Sequence, residues 1–166
     1  MQNLTELTTQ LGQLLQQGDQ ILVTAESCTG GGVATAITDI AGSSTWFDRA
    51  FITYSNDAKM EMLGVRSKTL GQFGAVSEAV VVEMALGALR HSNGTLSVAI
   101  SGIAGPGGGS EDKPVGTVCF AWASSLGWQK VETCLFAGDR SEVRTKAVCH
   151  ALTTLLEHMT DEEPFS

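Results

Sequence analysis

The chain has 166 residues, of which 10 are Lys or Arg and 18 are Asp or Glu, so its formal net charge is −8. This length suits one domain with a core of ordinary size, and the charge excludes a protein that tracks nucleic-acid phosphates along a basic face. Glycine is enriched, at 19 residues against about 7% in an average protein, whereas proline is scarce at 3. We therefore look for functional loops, not flexible linkers, among the glycines.

Targeting and redox features favour a cytoplasmic protein. No apolar run approaches the roughly 18 residues of a membrane span, and residues 1–20 lack the basic and apolar parts of a secretory signal. We expect free thiols in a reducing cytoplasm, no bound metal and no contact with a membrane. The cysteines lack the paired spacing of a zinc site: Cys28, Cys119, Cys134 and Cys149.

The first half of the chain has the pattern of alternating helices and strands. Leucines at helical spacing predict a helix over 3–17. A short apolar run at 20–25 predicts a buried strand, and a helix is predicted over 30–40. A second strand over 47–54 and a short helix over 57–63 should follow.

In the second half, a helix precedes a group of strands, and another helix ends the pattern. Ser77 is the predicted N-cap of a helix that reaches about residue 91. Asp139 and Glu142 have the spacing of a capping box, so the final helix should begin there and run to about residue 159. Three strands are predicted, the last two joined by a tight turn: 95–101, 115–123 and 128–136.

Helices interleaved with strands predict an α/β layered domain, and the late strand pair predicts a mixed sheet. We find no internal repeat and no linker, so residues 1–166 should form a single domain. Its last residues, 160–166, are acidic and should be a solvated tail.

Two predicted strands end in similar glycine-rich segments, TAESCTGGG at 24–32 and SGIAGPGGG at 101–109. Ligands of α/β sheets bind outside the carboxyl ends of strands, where glycine lets backbone approach closely. A glycine turn that opens a helix also presents N–H groups to a phosphate or an oxyanion. We interpret the two segments as two walls of one small-molecule site.

Several familiar motifs are missing from the sequence. It has no G-x-x-x-x-G-K-[ST] segment, no G-x-G-x-x-G segment after a strand and no G-x-S-x-G segment. A P-loop enzyme and an α/β-hydrolase are therefore disfavoured.

Ser27 and its neighbour Cys28 are the candidate nucleophiles. A cysteine nucleophile would need a histidine partner. A serine can instead use a lysine whose neutral form is favoured by burial, and Lys59 follows a predicted strand end that could face the same crevice. The histidines are better interpreted as solvated residues of helix faces: His91, His150 and His158.

Six short motifs occur along the chain in a fixed order: TAESCTGG (24–31), YSN..K (54–59), GAVS (74–77), GIAGP.GG (102–109), KPVGTV (113–118) and GDR...R (138–144). In this order they resemble the CinA C-terminal domain family. The similarity extends over about residues 5–158, and this span should form the core of the domain. The chain is similar to the family's stand-alone nicotinamide-nucleotide amidases.

The resemblance implies a three-layer α/β/α domain around a mixed sheet, and deamidation of nicotinamide mononucleotide to nicotinate mononucleotide and ammonia. It implies Ser27 as nucleophile and Lys59 as general base, with Tyr54 hydrogen-bonded to this pair and Ser101 as a further hydroxyl. Arg144 is the alternative to Arg140 as the arginine that contacts the substrate. Implied substrate contacts are Thr29, Gly30, Gly31, Gly102, Ala104 and Arg140.

Amide hydrolysis through an acyl-enzyme needs a nucleophile, a base and an oxyanion site, and it needs no metal or cofactor. Two other functions remain open at this stage: a non-catalytic nucleotide-binding or regulatory module, and an amidase of another small amide. We expect that the chain can form a homo-oligomer such as a dimer, because exposed apolar faces of α/β domains often pair.

Overall fold

Residues 3–161, which the computed structural model of the chain describes, form a five-stranded sheet with six α-helices and a short 3-10 turn. The strands are β1 (Leu22–Glu26), β2 (Phe47–Ile52), β3 (Leu96–Gly102), β4 (Thr117–Ser124) and β5 (Gln129–Leu135). The helices are α1 (Leu4–Gln17), α2 (Gly32–Thr38), α3 (Asn56–Leu63), α4 (Ser67–Phe73), α5 (Glu78–Arg90) and α6 (Arg140–Asp161).

The sheet is mixed, as the sequence predicts. Its strand order is β2-β1-β3-β4-β5; β1 pairs parallel with β2 and β3, whereas β4 is antiparallel to both of its neighbours. The carboxyl ends of β1, β2 and β3 therefore meet at one edge of the sheet. Ser27 directly follows β1 at this edge, and Ser101 lies near the end of β3.

Helices cover both faces of the sheet, which confirms the three-layer α/β/α fold. One core cluster contains residues of α1, α2 and α6, and the other contains residues of α3, α4 and α5. Because both faces are covered, β1 and most of β3 and β4 are buried, and their sequences are mostly apolar.

The two faces of the central strands differ in side-chain size. On β4, Phe120 and Trp122 point into the cluster that contains α1 and α6, and their rings are stacked with centroids 5.4 Å apart. The opposite face carries small side chains, and α5 packs against it. Those small residues are Ala99, Cys119, Ala121 and Ala123.

Both predicted helix N-caps are confirmed. The Ser77 hydroxyl accepts a hydrogen bond from the Val80 amide at the start of α5. At the start of α6, the Asp139 amide donates to the Glu142 carboxylate, and the Glu142 amide donates to the Asp139 carboxylate. This reciprocal pair is the capping box predicted from its spacing.

Helix α4 is absent from the sequence-based prediction. It has only seven residues, includes Gly71, and buries only Thr69 and Leu70, so it has no repeating apolar face that a periodicity search could detect. Its start is held from outside: the carboxylate of Glu83 in α5 accepts hydrogen bonds from the Arg66 amide and the Thr69 hydroxyl.

Two predicted boundaries need correction. Helix α2 begins at Gly32, because Gly30 and Gly31 have the left-handed φ angles of +58° and +96°. Helix α6 continues to Asp161, so the first residues of the predicted acidic tail belong to its last turn, and 162–166 lie outside the described residues.

Within residues 3–161, no helix is long and apolar enough to cross a membrane. All four cysteines are free thiols.

Candidate active site

A lysine and a serine lie in contact at the carboxyl edge of the sheet. The Nζ of Lys59 donates a hydrogen bond to the Oγ of Ser27 over 2.9 Å and another to the carbonyl of Thr53 over 2.8 Å. Lys59 is 1% exposed and Ser27 is 7% exposed, so the pair is almost entirely shielded from water. Sequence reasoning had singled out both residues, and the fold brings them together.

Helix α3 carries Lys59 to this position. The helix begins just after β2, where the Ser55 hydroxyl caps it by accepting a hydrogen bond from the Ala58 amide. Its other end packs against α5 at Gly87, where an added Cβ would lie 2.0 Å from the Leu63 carbonyl oxygen. The absence of a side chain at Gly87 therefore fixes how closely α3, and with it Lys59, approaches the sheet.

Burial changes the proton affinity of two side chains at the site. It lowers the pKa of Lys59, because a charged ammonium loses hydration there. It raises the pKa of Cys28 to about 11, because a thiolate would lose hydration in the same way. These directions favour a neutral amine beside Ser27 and a protonated thiol at Cys28. Of the two candidate nucleophiles, Ser27 is the one that is hydrogen-bonded to the Lys59 amine.

A buried carboxylate organises the turn that follows Ser27. Glu26 is 0% exposed, and its carboxylate accepts hydrogen bonds from the hydroxyls of Thr24 and Thr29 and from the amides of Val33 and Ala34. Two of these donors belong to the first turn of α2, where a negative charge is favourable. The sequence-based prediction does not include Glu26. An acidic residue between a strand and a helix that begins with glycines indicates a carboxylate that caps the helix, and this pattern could have identified it.

The glycine turn does not face the cavity of Ser27. Gly30 and Gly31 line a neighbouring groove of about 340 Å³ together with Thr29 and Arg144. The first glycine-rich segment therefore lines the cavity through Ser27 and Cys28 and not through its glycines, whereas the second segment contributes Ser101, Gly102 and Ala104. The left-handed conformations of Gly30 and Gly31 direct the chain into α2, beside α6. Thr29 is 1% exposed, and its hydroxyl is used by Glu26.

Two arginines of α6 have different surroundings. Arg140 donates to the Gly105 carbonyl over 2.9 Å and to the Tyr54 hydroxyl over 3.2 Å, at the rim of the cavity of Ser27. Arg144 donates instead to the carbonyls of Cys28 and Thr29 and thereby holds the turn after the serine.

Tyr54 was expected to form a hydrogen bond with the lysine–serine pair. It is 65% exposed, and its hydroxyl instead accepts a hydrogen bond from Arg140.

The cavity that contains the pair has a volume of about 270 Å³. It is lined by seven of the residues selected from the sequence: Ser27, Tyr54, Lys59, Ser101, Gly102, Ala104 and Arg140. Four lining residues were not selected as binding residues: Cys28, Asn56, Ala75 and Val76. Ala75 and Val76 belong to the GAVS motif, which was the available signal for them.

None of the described residues that line this cavity is a histidine. The interpretation of His150 as a solvated helix-face residue is wrong, because its ring lies among aromatic rings of the core and its Nε2 is 2.6 Å from a carboxylate oxygen of Glu132. Cys134 also lies beside this ring. The fold thus assembles a histidine, a thiol and a carboxylate that linear spacing does not reveal, since they come from β5 and α6.

These features define the class as a three-layer α/β domain with a small-molecule-sized cavity at the carboxyl ends of its parallel strands. The family model of the CinA C-terminal domain matches residues 4–159. The chain therefore belongs to the CinA C-terminal domain family.

Relatives within the family include full-length matches. The chain is 58% identical over 152 residues to the nicotinamide-nucleotide amidohydrolase PncC of Escherichia coli K12, covering 92% of each chain. It is 47% identical over 163 residues to the protein of the same name from Pseudomonas putida, covering 97% of this chain and 100% of the relative.

Solved structures agree with this assignment. The competence/damage inducible protein CihA of Agrobacterium tumefaciens superimposes with a TM-score of 0.92 at 43% identity, covering 96% of this chain and 97% of that one. The competence damage-inducible protein A of Klebsiella pneumoniae gives a TM-score of 0.93 at 40% identity, covering 98% and 100% of the two chains.

Proposed function

We propose that the protein hydrolyses the carboxamide of nicotinamide mononucleotide to nicotinate mononucleotide and ammonia, with Ser27 as nucleophile and Lys59 as base. The observation that carries this proposal is the 2.9 Å contact between Lys59 Nζ and Ser27 Oγ at a cavity open to solvent. The substrate follows from relatives named nicotinamide-nucleotide amidohydrolase at 47% and 58% identity over most of the chain.

The first step is proton transfer from Ser27 to neutral Lys59. A neutral amine has two N–H bonds and one lone pair, and the Thr53 carbonyl accepts one of those N–H bonds. In this neutral state the Ser27 hydroxyl donates to the Lys59 lone pair across the same 2.9 Å contact, and Lys59 takes the proton as the oxygen attacks the carboxamide carbon. A C–O bond forms, the carbonyl π electrons move to oxygen, and Lys59 becomes an ammonium.

The negative oxygen of this intermediate needs hydrogen-bond donors. Within residues 3–161, the amides of Cys28 and Thr29 donate to no other described residue. They immediately follow the nucleophile, so we assign oxyanion stabilisation to them. Arg144 and Glu26 fix the conformation of this backbone through their bonds to the turn.

Collapse of the intermediate breaks the C–N bond. The Lys59 ammonium returns the proton to the leaving nitrogen, which departs as ammonia, and Ser27 is left as an ester of the nicotinyl group. A water molecule then gives its proton to Lys59 and attacks the ester. Ser27 recovers its proton from Lys59, and nicotinate mononucleotide is released.

Arg140 is our choice for the residue that binds the substrate phosphate. Among the described residues it forms no ion pair with a carboxylate, so its charge is available at the rim of the cavity. The chain has a net charge of −8, which repels an anionic nucleotide, and the guanidinium of Arg140 supplies a local positive charge that attracts the phosphate.

The experiment that tests the proposal is incubation of the purified chain with nicotinamide mononucleotide, followed by measurement of ammonia and nicotinate mononucleotide. Nicotinamide riboside and free nicotinamide serve as alternative amides. We expect turnover of the nucleotide and much slower turnover of the other two. Binding of the nucleotide without ammonia release would indicate the non-catalytic module, and preference for another amide would change the substrate.

Ser27→Ala tests the nucleophile, and Ser43→Ala is the matched control, because Ser43 is also buried but lies outside the cavity. Ammonia release should disappear in the first variant and persist in the second. Hydroxylamine added to the active protein should divert the acyl-enzyme to a hydroxamate. Formation of nicotinate mononucleotide alone, at high hydroxylamine concentration, would argue against an ester on Ser27.

A further inference from the structure

A second cluster of reactive side chains lies between β5 and α6, outside the cavity of Ser27. The Nε2 of His150 is 2.6 Å from Oε1 of Glu132 and 3.6 Å from Sγ of Cys134. All three donor atoms lie within 4.8 Å of one another, and each residue is half-buried.

The fold places these donors together for simple reasons. Glu132 and Cys134 are two residues apart on β5, so both side chains point to the same face of the sheet. Helix α6 covers that face and presents His150. The imidazole is held among the rings of Phe120 and Phe136, with centroids 4.8 and 6.1 Å away.

An imidazole, a thiol and a carboxylate are the three side-chain types that bind Zn²⁺. Zinc bonds of about 2.3 Å to sulfur and about 2.0–2.1 Å to nitrogen or oxygen put tetrahedral ligand atoms roughly 3.5 Å apart. The Cys134–His150 separation already fits that value. The Glu132–His150 separation needs to open by less than about 1 Å, which a half-buried carboxylate can do by rotation.

We propose that Glu132, Cys134 and His150 form a Zn²⁺ site, with water as the fourth ligand, that links the edge strand β5 to helix α6. The Cys134 thiol loses its proton to solvent on binding. His150 coordinates through the Nε2 lone pair and keeps its proton on Nδ1. The edge position of β5 leaves a path for the ion from solvent.

A bound divalent ion would bring two anionic ligands together, the Glu132 carboxylate and the Cys134 thiolate that forms on binding. A divalent ion would offset the repulsion between the thiolate and the carboxylate, and the apolar rings around His150 would shield the ion from competing water. The site is thus a structural clamp in the half of the sheet that lacks the parallel strands.

The test uses the full chain, reduced and freed of metal, titrated with Co²⁺ as a spectroscopic probe and then with Zn²⁺. We expect a thiolate-to-cobalt charge-transfer band that Zn²⁺ abolishes, and a higher Tm with Zn²⁺. Cys134→Ser should remove the band, and His150→Gln should weaken Co²⁺ binding roughly tenfold or more.

Cys149→Ser is the matched control, because Cys149 is also a half-buried thiol and adjoins His150 without belonging to the cluster. It should retain the band. No band in the native chain, or a band that survives in Cys134→Ser, would overturn the site. If a variant fails to fold, X-ray absorption of the zinc-loaded native chain still tests the proposal. We expect a sulfur ligand at about 2.3 Å from the zinc, and a coordination shell of only nitrogen and oxygen would refute the site.

Discussion

The hydroxyl of Thr29 donates a 2.7 Å hydrogen bond to the carboxylate of Glu26, across the turn that carries Ser27. The same carboxylate accepts the first amides of α2, so one buried anion fixes both ends of the turn. The backbone that follows the serine is therefore rigid before any substrate arrives, which is what stabilisation of an oxyanion requires.

Glu26→Gln should be strongly destabilising although it preserves shape. Two donors converge on each carboxylate oxygen, and an amide replaces one oxygen with an NH₂ group that accepts nothing. Each buried donor left unpaired costs about 1–3 kcal/mol. Urea unfolding should show this loss, and kcat should fall more than KM rises. Glu111→Gln, in an exposed loop, is the control; equal stability of the two variants would contradict the role of Glu26.

Lys59→Met should abolish activity without lowering the free energy of unfolding at neutral pH. The methionine fills a similar volume and removes the cost of burying an amine that is charged in the unfolded chain. Lys68→Met, at an exposed position of α4, controls for loss of a positive charge and should keep full activity. Ammonia release and thermal unfolding measure the two effects, and normal kcat in Lys59→Met would exclude lysine as the base.

The pH profile of kcat/KM should rise with increasing pH and level off below the ordinary lysine value of 10.5, because burial lowers the pKa of Lys59 and the mechanism needs its neutral form. Between the lowered pKa and 10.5 the unfolded chain binds more protons at this residue than the folded chain does. Stability of the native protein should therefore rise with pH in that window relative to Lys59→Met. A rate that is flat with pH through the same window would argue against a titrating amine.

Arg140→Met and Arg144→Met should fail in different ways. Loss of charge-assisted bonds to a phosphate costs about 1.5–3 kcal/mol, so Arg140→Met should raise KM for nicotinamide mononucleotide roughly 10- to 150-fold, with little change for the riboside. Arg144→Met frees the carbonyls of Cys28 and Thr29 and should lower kcat for both substrates. Steady-state kinetics with the two substrates separates these outcomes, and a reversed pattern would exchange the roles of the arginines.

Gly87→Ala should reduce activity at a distance. The new methyl group meets the Leu63 carbonyl at 2.0 Å, so α3 must shift away from α5 and carry Lys59 with it. Overpacking of this kind costs about 1–3 kcal/mol. Gly71→Ala is the matched control, because it is also a helical glycine but has open space around it, and alanine there should stabilise the chain by about 0.5–1 kcal/mol. Unchanged kcat in Gly87→Ala would show that α3 is placed by other contacts.

The sequence predicts most of the fold because local patterns determine it. The leucine spacing of α1 and the capping box of α6 are visible within one or two turns of chain. What escapes prediction depends on distant partners. Helix α4 is held by Glu83, and the carboxylate of Glu26 is satisfied only after α2 has formed.

The site shows the same division. Ser27 and Lys59 were identified from motifs, and their contact follows from parallel strands that end at one edge. The motif does not reveal that the Thr29 hydroxyl donates to Glu26, which leaves the backbone amide of Thr29 as the group proposed to bind the oxyanion.

The side chains on one face of β4 are large and those on the other are small, so the two faces tolerate different substitutions. Toward α6, where Phe120 and Trp122 lie, shortening a side chain leaves a void; toward α5, where Ala121 and Ala123 lie, lengthening one drives the helix outward. Because α5 also fixes α3, a larger residue on its face of the sheet would disturb catalysis even in a protein that still folds. Libraries aimed at altered specificity should therefore leave the alanine face untouched and vary the rim around Tyr54 and Arg140.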